Sequence, residues 1–139
     1  MPTIEICAAL LLDPAGRMLL VRKQDTEAFM QPGGKPEAGE QPRQTISREL
    51  DEELGLALAP ERFEDLGTFE EQAANEPDHR VVGHAFRLVL TVAEATSAKV
   101  AAEIVEARWV SVPEALELPL APLTRHYFVP LVVAGQPLA

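Results

Sequence analysis

Cysteine is nearly missing from this chain of 139 residues: Cys7 stands alone, so no disulfide within the chain is available to staple a fold. Basic residues are also scarce. Twelve Lys and Arg against 22 Asp and Glu leave a net charge of −10, which argues against a nucleic-acid groove, because phosphate backbones require a basic footprint. Long apolar runs are lacking as well, the longest being strand-length, and no leader segment is recognisable. The expectation is a soluble cytoplasmic protein with no membrane partner. Low-complexity tracts and internal repeats are absent, and the length fits one domain, residues 1–139. No second histidine stands at ligand spacing from His79 or His84, so these two are expected on a loop surface and in strand packing.

What the chain does have is acid gathered into one stretch, residues 34–56, GKPEAGEQPRQTISRELDEELGL. Pro32-Gly33-Gly34 and Pro36-Glu37-Ala38-Gly39 are turn chemistry, since glycine tolerates positive φ and proline fixes its own. Pro42 then falls where a first helical turn accepts proline, and Gly55 falls where a helix C-terminus favours glycine. Residues 42–54 are therefore predicted to form a helix of about three turns.

On that helix Glu49, Glu52 and Glu53 stand at i, i+3 and i+4, which puts three carboxylates on one face. Ile46, Leu50 and Leu54 follow the apolar spacing of the opposite face. Like charges at that spacing repel unless they are solvated or neutralised by a cation, and hard divalent ions such as Mg²⁺ and Mn²⁺ take carboxylate oxygens. Arg48 adjoins the cluster and is placed to hold a carboxylate in a bidentate fork. Asp51 points elsewhere, into solvent.

These residues resemble the Nudix hydrolase box: Gly, five residues, Glu, seven residues, Arg-Glu, an aliphatic, one residue, Glu-Glu, one residue, Gly, an aliphatic. Here Gly34, Glu40, Arg48, Glu49, Leu50, Glu52, Glu53, Gly55 and Leu56 fill every constrained position of the 23-residue window. The resemblance implies an α/β fold, an α/β/α sandwich with a mixed sheet between helices. It also implies a bound Mg²⁺ or Mn²⁺, with Glu52 and Glu53 as ligands and Glu49 as ligand or general base. The carbonyl of Gly33 becomes a further metal ligand, and Gly34, Glu40, Arg48 and Gly55 shape the loop and orient the ligands. Glu103, six positions before Trp109, matches an acidic position that the family often uses as a further ligand or as the base. Glu49, Glu53 and Glu103 all stay open as the base. Basic residues ending the second strand reach substrate phosphate in the MutT-like branch. That gives Arg22 or Lys23 this role, with a solvated strand end as the alternative, and Lys35 either touches phosphate or is exposed.

The remaining chain supplies a scaffold. Residues 3–12 and 17–23 read as strands separated by the Asp13-Pro14-Ala15-Gly16 turn, and Cys7 within the first is a buried small hydrophobe. Residues 63–71 and 80–92 read as further strands, the second being the longest, with a polar loop over 72–79 between them. A polar, partly helical link over 93–102 leads to a strand around Trp109, which is expected in the core. A short helical turn starts at Pro113, a C-terminal helix broken near Pro130 spans 119–133, and residues 135–139 fray. His126 and Tyr127 are expected in packing or on the surface.

Water attacking a pyrophosphate linkage approaches an already anionic phosphorus, so the reaction needs cations. A net negative protein is compatible with a nucleotide substrate when bound metal reverses the local sign. Family members that act on ADP-ribose tend to carry proline about sixteen residues past the box, where this chain has Gln72. Those acting on diadenosine polyphosphates tend to carry tyrosine slightly further on, where Ala73 and Ala74 stand. By elimination the expectation is a nucleoside triphosphate pyrophosphohydrolase. The alternatives are a hydrolase of a nucleotide sugar or dinucleotide, or a sensor that binds nucleotide without turning it over. The resemblance also leaves a homodimer open.

Overall fold

The computed structural model describes residues 2–72 and 78–135. Along the chain run β1 (Thr3–Leu12), β2 (Met18–Lys23), β3 (Gly33–Gly34), α1 (Pro42–Leu54), β4 (Glu64–Gln72), β5 (Arg80–Val89), α2 (Val92–Ser97), β6 (Ile104–Val110) and α3 (Val112–Leu116), then a π-helical turn (Thr124–Phe128) and α4 (Val129–Gly135). The strands form a mixed sheet in the order β4-β5-β1-β2-β6, with β3 pairing to β1 off that path. β1 and β5 run parallel from Thr3↔Arg80 to Leu12↔Val89, while β2–β6 and β4–β5 are antiparallel.

Both faces of the sheet are covered, which is why β1 and β2 read as continuous apolar runs. Because side chains alternate across a strand, Cys7, Ala9 and Leu11 point one way and meet Ile46, Leu50 and Leu54 of α1. Ala8 and Leu10 point the other way, into Phe128, Val129 and Val132 of the C-terminal helical segment and Ala115 of α3. The result is the expected α/β/α layering with a mixed sheet. Helix α1 begins with Pro42 and closes on Gly55 in the left-handed region (φ 66°), with the Gly55 N–H bonded to the Asp51 carbonyl at 3.0 Å.

Three boundaries differ from the sequence expectation. β5 stops at Val89, as long as β1 rather than longer, and Val92 opens a helix. The cause is Thr91, whose side chain accepts from the Glu94 N–H while the Glu94 carboxylate accepts from the Thr91 N–H, a capping box. The C-terminal helix does not start at Pro119, whose carbonyl accepts from Phe29 N–H, and it is not broken at Pro130. It widens instead into the π-turn just before that proline, with Val129 N–H reaching the Thr124 carbonyl, and then continues as α4. Gln72 belongs to β4 rather than to the following loop. Ala73, Ala74 and residues 136–139 of the expected frayed end lie outside the described residues.

Candidate active site

The glycine turn and α1 assemble the site because β3 pins the turn against β1. Gly33 packs so closely on β1 that a Cβ there would stand 2.0 Å from the Cys7 carbonyl oxygen, and one on Gly34 would stand 2.3 Å from the Glu49 carboxyl carbon. Only glycine permits both approaches. The turn therefore lies directly on the acidic face of α1.

The three helix carboxylates, placed on one face by their spacing, have three different environments. Glu52 is exposed and meets Arg48 Nη1 at 3.2 Å. Glu49 is largely buried and accepts from Arg48 Nη1 at 2.9 Å. Burial pushes its carboxyl above the usual range against the opposing pull of Arg48. Glu53 is only 1% exposed. Its Oε1 accepts from the Gly33 N–H at 3.0 Å, and Oε2 is buried with no partner. Desolvation pushes its pKa to about 8 in spite of the Gly33 hydrogen bond. The helix thus turns Glu53 inward beneath the glycine turn instead of presenting all three acids outward.

Arg48 organises the rest. Its Nε and Nη2 grip Glu40 at 2.6 and 3.0 Å, a bidentate fork, and Nη2 also donates to the Lys35 carbonyl at 3.0 Å. The guanidinium holds the Glu40 carboxyl down at about 2, and Thr45 Oγ1 donates to Glu40 at 2.9 Å. This ties the loop, the start of α1 and the acidic face into one unit.

Lys23 and Arg22 part company at a bulge in the β2–β6 pairing. Arg22 is drawn to Glu106 at 3.1 Å and to the Thr26 carbonyl at 2.8 Å. Lys23 pairs with Glu103 at 3.3 Å. Glu103 comes beside α1 because the Lys99 and Ala101 N–H groups donate to the carbonyls of Leu54 and Glu53, binding the segment before β6 to the helix end. Lys23, Lys35, Glu49 and Glu103 all line one cavity of about 580 Å³, which runs over β1 to the C-terminal segment. Arg22 does not line it.

The sequence reading missed several residues that line this cavity, among them Gln24, Gln31, Leu123 and Thr124. Lone polar residues and a leucine carry no periodic or motif signal. His126 and Tyr127, by contrast, bind β4: His126 pairs with Glu71 at 2.5 Å, and Tyr127 donates to the Glu70 carbonyl at 3.0 Å and packs on Phe69. His84 stacks on Phe86 and bonds Asp65. Trp109 packs against the α1-side core.

The NUDIX domain family model matches residues 1–131. The chain belongs to the Nudix family. A relative from Haemophilus influenzae, an 8-oxo-dGTP diphosphatase, is 38% identical over 66 residues, 44% of this chain and 48% of that protein. That match spans about half the length of the relative. Among solved structures, a MutT protein from Methanosarcina mazei Go1 shares the fold at TM-score 0.75 and 21% identity, covering 96% of this chain and 94% of that one. The bifunctional NMN adenylyltransferase/ADP ribose pyrophosphatase from Francisella tularensis, complexed with AMP and a manganese ion, shares it at TM-score 0.74 and 18% identity, covering 96% of this chain and 42% of that one. The names of two of these relatives, a diphosphatase and an ADP ribose pyrophosphatase, are those of hydrolases of phosphoric anhydride bonds.

Nudix hydrolases generally use divalent metals. The residues here fit such an ion by donor chemistry: a buried carboxylate oxygen without a partner beside a second carboxylate is a hard-oxygen pair short of positive charge. Among the described residues no three acidic, His or Cys groups yet converge as a ligand set; Arg48 engages Glu49 and Glu52 instead. No helix among the described residues is long and apolar enough to cross a membrane.

Proposed function

We propose that this chain is a metal-dependent pyrophosphohydrolase that cleaves a nucleoside triphosphate to the monophosphate and pyrophosphate. The observation that carries the proposal is Glu53, a carboxylate buried under the glycine turn with one oxygen unpartnered, whose neighbours Gly34 and Glu49 line a cavity large enough for a nucleotide. The Haemophilus influenzae relative, named for a nucleoside triphosphate, supports that substrate class.

In this reading Glu49, Glu52 and Glu53, with the Gly33 carbonyl and Glu103, hold Mg²⁺ or Mn²⁺. Such an ion, when bound, neutralises phosphate oxygens and lowers the pKa of an attacking water. Glu53 has the strongest case of the three candidates for accepting the water's proton. Its second oxygen is buried without a partner, whereas Glu49 is engaged by Arg48 and Glu103 by Lys23. Lys23 and Lys35 meet the phosphates, and Arg48 and Glu40 keep the acidic face in register with the turn. Arg22, held by Glu106 and the Thr26 carbonyl, takes no part in this reading.

The test is product analysis with a panel of nucleoside triphosphates, nucleotide sugars and dinucleotides in Mg²⁺ and then Mn²⁺. Pyrophosphate and monophosphate in equal amounts, lost by a factor of about 10² to 10⁴ in Glu53→Gln, is the expected result. Binding without turnover across the panel would make the chain a nucleotide sensor.

A further inference from the structure

The cavity carries a buried polar pair beside aliphatic lining residues that include Ile4, Ile6, Val81 and Leu123. Gln31 and Thr124 both line it, and their residues are 6% and 1% exposed. They lie 93 residues apart in sequence: Gln31 directly precedes the Pro32-Gly33-Gly34 turn, and Thr124 opens the π-turn. The Thr124 hydroxyl donates to Gln31 Oε1 at 2.7 Å. Gln31 Nε2 stands 3.4 Å from Met18 Sδ, a weak acceptor.

This arrangement fixes which way the carboxamide faces. Reversing it would set the amide oxygen against the thioether sulfur, two acceptors in contact, so the observed orientation is the favoured one. An amide nitrogen has two hydrogens and the sulfur engages one at most. The other is left for a ligand. With one lone pair of its carbonyl engaged by Thr124, the buried side chain has its second amide hydrogen to offer the cavity.

We propose that Gln31, oriented by Thr124, selects the nucleobase by the exocyclic group at the purine 6 or pyrimidine 4 position. A carbonyl there, as in guanine, hypoxanthine, uracil and thymine, accepts the free amide hydrogen. An amino group there, as in adenine and cytosine, sets N–H against N–H and leaves a buried donor unsatisfied. Thr124 is a positioning residue: it acts only by holding the amide. The proposal rests on the reading of this chain as a nucleotide hydrolase, since it assumes that the phosphates lie at the acidic end and the base in the rest of the cavity.

The test separates the two. Calorimetry with Mg²⁺ present measures binding of IMP against AMP, and UMP against CMP, pairs that differ at the relevant ring position. Steady-state turnover of the matching triphosphates is measured in parallel. The wild-type chain is expected to bind IMP roughly tenfold more tightly than AMP, with the same preference in KM. Gln31→Leu should bring that ratio close to one, and Gln31→Glu should reverse it by replacing the donor with an acceptor. Thr124→Val leaves Gln31 in place but removes the hydrogen bond that holds its carbonyl, and should shrink the ratio. A preference that survives Gln31→Leu and Thr124→Val, or a wild-type chain that binds IMP and AMP equally or not at all, overturns the assignment. Absent turnover with the binding preference intact overturns the hydrolase reading instead.

Discussion

The Gly33 N–H donates to Glu53 Oε1 at 3.0 Å across 20 residues of sequence, while the other oxygen of that carboxylate is buried with no partner. One hydrogen bond joins the turn to the helix, and the second oxygen is left without a partner.

That asymmetry has a consequence for folding without metal. Burial raises the Glu53 pKa from 4.5 to about 8, so between these pH values the folded chain keeps a proton that the unfolded chain releases. The sign follows from linkage: the contribution is most favourable below about 4.5 and is lost as pH rises through about 8. In EDTA the melting temperature of Glu53→Gln, relative to wild type, should therefore climb as pH rises from 5 to 8.5. A difference independent of pH would contradict the burial of an ionisable group here. Adding Mg²⁺ or Mn²⁺ at pH 8 should raise the melting point of the wild type more than that of the variant.

The close approach at Gly34 predicts an activity defect with the fold retained. Gly34→Ala puts a Cβ 2.3 Å from the Glu49 carboxyl carbon, and a side chain can swing away where backbone cannot. Turnover should fall by about 10²-fold, the order expected for a misplacement near 1 Å, with an unchanged circular dichroism spectrum. Gly33→Ala drives its Cβ into backbone, 2.0 Å from the Cys7 carbonyl oxygen. It should lower stability by about 1–3 kcal/mol or more, read by urea titration.

Arg48→Lys keeps the charge and removes the fork on Glu40. Activity should drop by roughly 10–100-fold with a higher half-saturating metal concentration, the pattern of a residue that orients ligands. Glu40→Gln should do much the same, and the double variant should be little worse than either alone, because both cut one contact.

Cys7 is 2% exposed and its burial pushes the thiol up to about 11. A thiol so shielded and so rarely ionised should not react with Ellman's reagent at pH 8 in the native chain, and should release one equivalent of chromophore once unfolded in guanidinium. Rapid native labelling would place Cys7 outside the core.

The chain's local chemistry determined a good deal by itself. Pro42 and Gly55 bound α1 because their effects act within a turn of helix. The apolar runs of β1 and β2 showed strands covered on both faces, and the box residues named the family. Capping was legible too, but Thr91 was read through as strand because Val92 continues an alternating apolar pattern that only the capping box with Glu94 overrides. The different fates of three glutamates on one helical face were decided by tertiary structure alone. Helical spacing sets a shared face, whereas burial of Glu53 depends on β3 folding the glycine turn over it, and burial sets its proton affinity. The same holds for Arg22 and Lys23, separated by a bulge, and for Gln31 and Thr124, which meet only because the C-terminal segment packs back over β1. Side-chain desolvation and long-range pairing are properties of the assembled sheet and its covering helices, and no local pattern of residue types encodes them.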